Sequence, residues 1–379
     1  MKQIHLAILV IITSGLIISA CKVRQPENLN TPIEYRSDQQ KEKFAKNIIL
    51  LIGDGMGIGQ ISAGTYRNNN TSNLEKFSVV GMHKPSCYDK LITDSAAAAT
   101  AFACGEKTYY QAIAVDKDTM PIQTILEEAE TKNMATGLVA TSTIVHATPA
   151  SFIAHNKNRR NYEEIALDFL NTDIEYFVGG GNKFFARRTT DTRNLVQELT
   201  NKGYVMGNYL NDFGTFKNKI PEKGKVGYLT ADDSPLPVLS GRDYLSDASI
   251  TGLDFLKRQN ENGFFIMIEG SQIDWGGHAN NAEYIISEFL DFNEVLGNVL
   301  EWAEKDGETL VIVTADHETG GFTIEQESRM DSLVTSFTSK NHSGDFIPVF
   351  AHGPKASLFT GLYENTEIYH RMRQAYGWK

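Results

Sequence analysis

From about Lys46 onward, short uninterrupted apolar runs alternate with longer stretches in which apolar residues recur every three or four positions. The clearest runs occupy residues 48–52, 137–140, 264–268, 310–313 and 347–351. They are too short for helices and lack polar alternation, so they predict strands covered on both faces. Residues 122–131, 162–170, 282–305 and 367–376 carry helical periodicity. This alternation predicts an α/β fold, a large mostly parallel central sheet flanked by helices on both faces. Residues 182–243 are richer in glycine and polar side chains and read as an insertion on the same domain. In Asp94-Ser95 followed by Ala96–Ala99, four alanines predict the first turn of a helix. Asp94 and Ser95 fall at its start, where capping residues belong. Ser95 is therefore either a cap or a hydroxyl wanted at the positive end of a helix dipole.

The first twenty residues follow another pattern: Lys2, an apolar run over 6–18, then small residues before Cys21. That is the pattern of a secretory signal peptide over 1–20. Ile18-Ser19-Ala20-Cys21 resembles a bacterial lipobox, which implies a diacylated Cys21; a plain signal peptide or an anchoring helix is the alternative. Residues 21–45 are polar and unpatterned, a lipid-anchor tether, and 46–379 form a single domain. The expectation is an exported protein, periplasmic or in the cell envelope, anchored to a membrane at Cys21. A net charge of −11 without basic clusters argues against a nucleic-acid-binding surface. Export permits a disulfide between Cys87 and Cys104, but buried free thiols fit equally well.

Chemistry gathers just after the predicted strands. Run 48–52 leads into Gly53-Asp54-Gly55, and run 137–140 leads toward His146 and Thr148. Run 264–268 leads into Glu269, Asp274 and His278, and run 310–313 into Asp316 and His317. Ligands of parallel sheets bind at the carboxyl ends of the strands, so four ends deliver acids and imidazoles to one edge. The glycines at 53, 55, 57 and 59 do not match a dinucleotide-binding loop and instead let the chain turn around Asp54. Asp274 and His278 share a face of a helical turn, or meet across a tight loop through Gly276 and Gly277. Either arrangement suits a transition metal. His342 adds an imidazole ahead of the last run, and Arg159 or Arg160 could present a guanidinium fork to phosphate.

In order, GDGMG, TDSAAAATA, HATPASFIAHNKNR, EGSQIDWGGH, TADHETGGF and NHSGD resemble the alkaline phosphatase family from Asn47 to about Gly377. The resemblance implies a phosphate monoester hydrolase in which Ser95 is the phosphorylated nucleophile and Arg159 grips the phosphoryl oxygens. It implies one Zn²⁺ on Asp274, His278 and His342, and a second on Asp54, Asp316 and His317. A Mg²⁺ would sit between Asp54, Thr148 and Glu269. Asp94 positions the site, and a homodimer is expected. Two positions vary within the family: enterobacterial members carry an acid and a lysine where this chain has His146 and Trp275. Losing that carboxylate predicts weaker or less selective magnesium binding. Relatives that cleave diesters usually use threonine, and sulfatases an oxidised Cys or Ser in a C/S-x-P-x-R context; neither surrounds Ser95. An inactive lipid-anchored binding protein would lack a ligand or the nucleophile, and every position is filled.

Overall fold

The computed structural model describes residues 43–379. The signal peptide, Cys21 and nearly all of the 21–45 tether lie outside the described residues. In chain order the strands are β1 (Asn47–Gly53), β2 (Val79–Lys84), β3 (Ala135–Thr143), β4 (Tyr176–Gly180), β5 (Tyr204–Asn208), β6 (Lys225–Leu229), β7 (Phe264–Gly270) and β8 (Thr309–Thr314). Four short strands follow, β9 (Glu318–Thr319), β10 (Phe322–Ile324), β11 (Thr335–Phe337) and β12 (His342–Ser343), then β13 (Ile347–His352) and β14 (Gly361–Glu364).

Ten strands join in one sheet, ordered β14-β2-β13-β8-β1-β7-β3-β4-β6-β5. Neighbours run parallel except on either side of β13, which is antiparallel to both β2 and β8. Every residue of β1, β3, β7 and β8 is buried, as unbroken apolar runs require. The side chains divide by parity. Ile48, Leu50 and Ile52 join Phe265 and Met267 in one core layer, while Ile49 and Leu51 join Ile266 and Ile268 in the other. The long helix Ala282–Asp306 covers the second layer, and helices Ser95–Cys104, Ile125–Thr131 and Glu367–Tyr376 cover the first. Residues of the 182–243 segment supply β5 and β6, which extend one edge of the same sheet.

Two boundaries differ from the periodicity. The helix anticipated from 122 starts at Ile125, because Thr124 and Glu127 close a capping box there. The Ile122 N–H is already committed to Ala114 O. The helix Tyr162–Asp168 stops two residues earlier than its pattern.

An acidic pair at the start of β3 makes a stability prediction. Burial pushes both Glu130 and Glu175 up to about 7 from 4.5. The folded state then binds more protons than the unfolded chain between about pH 4.5 and 7, so stability falls as pH rises through that window. Glu130→Gln keeps an acceptor for the Asp173 N–H and gains a donor toward Thr136 Oγ1. It is expected to raise Tm by about 2 °C at pH 8.5 and to leave it unchanged at pH 4.5. Thermal melts at the two pH values check this.

Candidate active site

The sheet brings the predicted acids and imidazoles together. β8, β1, β7 and β3 are consecutive and parallel, so their carboxyl ends share an edge. Asp54 follows β1, Glu269 is the penultimate residue of β7, Asp316 and His317 follow β8, and His146 follows β3. β13 runs the other way, so its amino end reaches the same edge. That is how His342, on β12 just before it, arrives there. β12 pairs with β9 and sets His342 opposite Thr319.

Asp274 and His278 lie in a helix, Gln272–His278, which resolves the helix-or-loop alternative. Its glycines are needed for packing: a Cβ on Gly277 would lie 2.7 Å from Thr319 O. Gly55 has φ +71°, and a Cβ there would lie 2.7 Å from Asp274 Cα. The turn after β1 can therefore press Asp54 against the Asp274 segment only with glycine at this position.

Donor atoms converge within 4.8 Å of one another in three groups: Asp54, Asp316 and His317; Asp274, His317 and His342; and Asp54, His146 and Glu269. His278 joins the second group, its Nε2 3.4 Å from Asp274 Oδ1 and 3.2 Å from His342 Nε2. The third group brings in His146 as a potential donor, beyond its expected place as a neighbour. Thr148 stands beside Glu269. Backbone carbonyls orient two imidazoles. His278 Nδ1–H donates to Lys340 O at 2.6 Å, and His342 Nδ1–H to Thr93 O at 2.9 Å. A carbonyl only accepts, so Nδ1 carries the proton and each Nε2 turns a lone pair toward the cluster.

These groups fit metal ions. Both carboxylate oxygens of Asp54 and one of Glu269 are buried without a hydrogen-bond partner among the described residues. Burial, with the carboxylates of Asp316, Asp274 and Glu269, holds Asp54 well above the usual carboxylate range. Burial pushes Glu269 up to about 7, against hydrogen bonds from Ser271 and Ser142. Buried acids that repel one another and lack donors are what a divalent cation neutralises. All three groups mix nitrogen and oxygen; the second is the richest in nitrogen, which suits zinc, and the Thr148 hydroxyl beside Glu269 adds an oxygen to the third.

Ser95 faces this cluster. Its Oγ lies 3.2 Å from His317 Nε2. Capping falls to its neighbour: Asp94 is the N-cap, its Oδ1 accepting from Ala97 N at 3.3 Å, and Ser95 is the first helical residue. Of the two alternatives open for Ser95, the cap is excluded, because the Asp94 carboxylate reaches the exposed N–H and Ser95 Oγ stays turned to the site. The helix is buried at all ten positions, hence its alanines. Asp94 Oδ1 also accepts from Gln111 N at 3.0 Å, and Oδ2 accepts from Arg159 at 2.9 Å. Of the two arginines, Arg159 is the one drawn inward. Its other amino group lies 3.3 Å from His146 Nε2. Burial and the Arg159 charge lower His146 to about 3, so its imidazole is neutral. Trp275 packs against it edge to face, centroids 6.1 Å apart. Cys87 and Cys104 are free and buried.

Sequence reasoning missed several contributors. Thr319 Oγ1 donates to Asp274 Oδ1 and lies 3.3 Å from His317 Nδ1. Ser271 Oγ donates to Glu269 Oε2 at 2.6 Å. Both sit inside motifs already singled out, TADHETGGF and EGSQIDWGGH, and a search for hydroxyls beside acids would have found them. Tyr110 and Tyr162 line a cavity of about 320 Å³ over Ser95, and no signal marked either.

A mostly parallel sheet whose carboxyl edge gathers a buried serine, an anchored arginine and metal donors defines a metal-dependent phosphohydrolase. The chain belongs to the alkaline phosphatase family, whose family model matches residues 45–336 and 326–378. It is 34% identical to alkaline phosphatase 4 of Bacillus subtilis, covering 97% of this chain and 95% of that one. It is 28% identical to the Escherichia coli alkaline phosphatase, over 90% of this chain and 88% of that one. Among solved structures, the alkaline phosphatase of the Antarctic bacterium TAB5 superposes with TM-score 0.84 at 43% identity, covering 89% of this chain and 99% of that one. A histidine-to-aspartate variant of that enzyme is described with magnesium bound in its M3 site. The chain is an alkaline phosphatase-type phosphoric monoester hydrolase that binds metal ions.

Proposed function

We propose that this hydrolase acts through a phosphoserine on Ser95 and carries two Zn²⁺ and one Mg²⁺. The observation that carries the reading is the Asp94 carboxylate, which caps the helix bearing Ser95 and also anchors Arg159. Nucleophile and phosphate grip are thereby fixed to one another. Zinc on Asp274, His278 and His342 and on Asp54, Asp316 and His317, with magnesium on Asp54, Thr148 and Glu269, would supply charge that stabilises the entering and leaving oxygens. Arg159 donates to the phosphoryl oxygens with the N–H groups that Asp94 does not use. The N-terminus of helix Ser95–Cys104 adds partial positive charge behind Ser95. Ser95 Oγ forms the new P–O bond as the ester oxygen departs. Water then cleaves that bond, releasing inorganic phosphate and an alcohol and restoring the serine.

Incubation with radiolabelled inorganic phosphate near pH 5, acid quenching and peptide mapping test the scheme. Label on the Ser95 peptide is expected; label elsewhere, or none, rejects it. The third site adds a prediction, since an imidazole stands among its donors. After dialysis against magnesium-free buffer, elemental analysis is expected to show magnesium well below one per chain with zinc near two. Full magnesium retention would contradict that selectivity argument.

The lipobox-like segment supports an exported lipoprotein anchored through Cys21 at the cell envelope. The native chain is expected in the detergent phase of a Triton X-114 partition and a Cys21→Ala variant in the aqueous phase; an aqueous native protein would refute the anchor. Family membership supports a homodimer, checked by light scattering.

A further inference from the structure

Two basic side chains at the rim of the site have no part in the scheme above. Arg159 is committed to Asp94 and His146, but the exposed guanidinium of its neighbour Arg160 makes no hydrogen bond or ion pair among the described residues. In the adjoining depression, Lys90 Nζ rests 3.7 Å from the centre of the Tyr110 ring, likewise without an acidic partner in ion-pair range. Asp89, beside it in sequence, turns Oδ1 to the Tyr110 N–H at 2.8 Å and to the Cys87 thiol at 3.4 Å. What sets these two apart is their position beside the reaction centre of an acidic chain.

Their placement follows the shape of the site. The cavity over Ser95 holds Arg160, Tyr162 and Trp275 on its walls. A second depression of about 250 Å³ holds Lys90, Ile92 and Asn341. Tyr110, His278 and His342 line both, so the two share a wall. The phosphoryl group belongs at Ser95 and Arg159, which leaves the alcohol portion of the ester the remainder of the cavity. That remainder is lined by Arg160 and by the shared Tyr110 wall, against which Lys90 packs in the adjoining depression.

We propose that Arg160 and Lys90 form a leaving-group subsite that selects phosphate monoesters of anionic alcohols, those bearing a carboxylate or a second phosphate. The proposal rests on the monoester reading and deepens it. Tyr110 gives the body of the alcohol an apolar face, and the two cations receive its charged end. Both are solvated, so the preference is modest and sensitive to salt.

The test compares benzyl phosphate with 4-carboxybenzyl phosphate, which break the same benzylic O–P linkage and differ in one remote charge. The wild-type kcat/KM ratio is expected to favour the carboxylate about five-fold at low ionic strength, mostly through KM, and to shrink in about 0.5 M NaCl. In the Lys90→Gln, Arg160→Gln double variant the ratio falls to about one. A 4-(phosphonomethyl)benzyl phosphate arm separates the sources. A larger gain than with the carboxylate identifies a second phosphate as the favoured group, and an equal gain identifies charge of either kind. A wild-type ratio of one or less, or a ratio unmoved by the double substitution, overturns the subsite. Failure of the wild type to hydrolyse any of the three would instead overturn the monoester reading beneath it.

Discussion

Ser95→Ala is expected to lower kcat for p-nitrophenyl phosphate by at least about 10³-fold while leaving the protein folded. Among the described residues the hydroxyl's one hydrogen-bond partner is His317 Nε2 at 3.2 Å, so its removal breaks no wider buried network. Alanine is the better helix former, and the cap belongs to Asp94, which the substitution leaves in place. Tm within about 2 °C of the wild type would accompany the lost activity. Activity within ten-fold of the wild type would sink the nucleophile assignment. Loss of both activity and fold would point instead to a structural role for the serine.

The second large effect comes from removing metal. Dialysis against a chelator is expected to abolish hydrolysis, with zinc restoring most of it and magnesium alone little. Stability should fall as well, because Asp54 and Glu269 are then left buried among other acids with unsatisfied oxygens. An ion present at a thousand times its dissociation constant contributes about 4 kcal/mol. For a domain of this size that corresponds to a drop of roughly 5–10 °C in Tm. Calorimetry of the stripped and reloaded protein checks it. A stripped protein that melts at the native temperature would mean that protons alone relieve the repulsion.

Much of this arrangement could be read from the chain. Strands β1, β3, β7 and β8 announced themselves because burial on both faces leaves their central runs without a polar interruption, and acids or imidazoles stand at or after their carboxyl ends. The helix Ala282–Asp306 was legible for the complementary reason, a long apolar stripe ended by Gly307 at φ 71°. What the pattern lacked was direction. Residues 347–352 look like any other buried strand, and only pairing shows β13 to be antiparallel. Its reversal explains why His342 precedes its strand while the other predicted donors lie at or beyond the carboxyl ends of theirs. Capping geometry was also out of reach, since Asp94 and Ser95 are both good caps and only the fold shows which one turns inward. Thr319 and Ser271 stand in motifs already quoted, but only the fold shows that Thr319 reaches Asp274, and Gln111 acts through its backbone N–H, which no sequence marks.

The antiparallel strand has one more consequence, for when the site can exist. Its donors run from Asp54 to His342, and none of the three groups is supplied by a single local segment. His342 reaches the cluster only once β13 has inserted between β8 and β2. A fragment ending before β8 can complete only the group of Asp54, His146 and Glu269; the other two need Asp316, His317 and His342, so early capture of an ion there by a partial chain would be loose. Folding therefore precedes tight metal uptake at those two groups, and the compartment in which the chain closes its sheet is the one that must supply their ions.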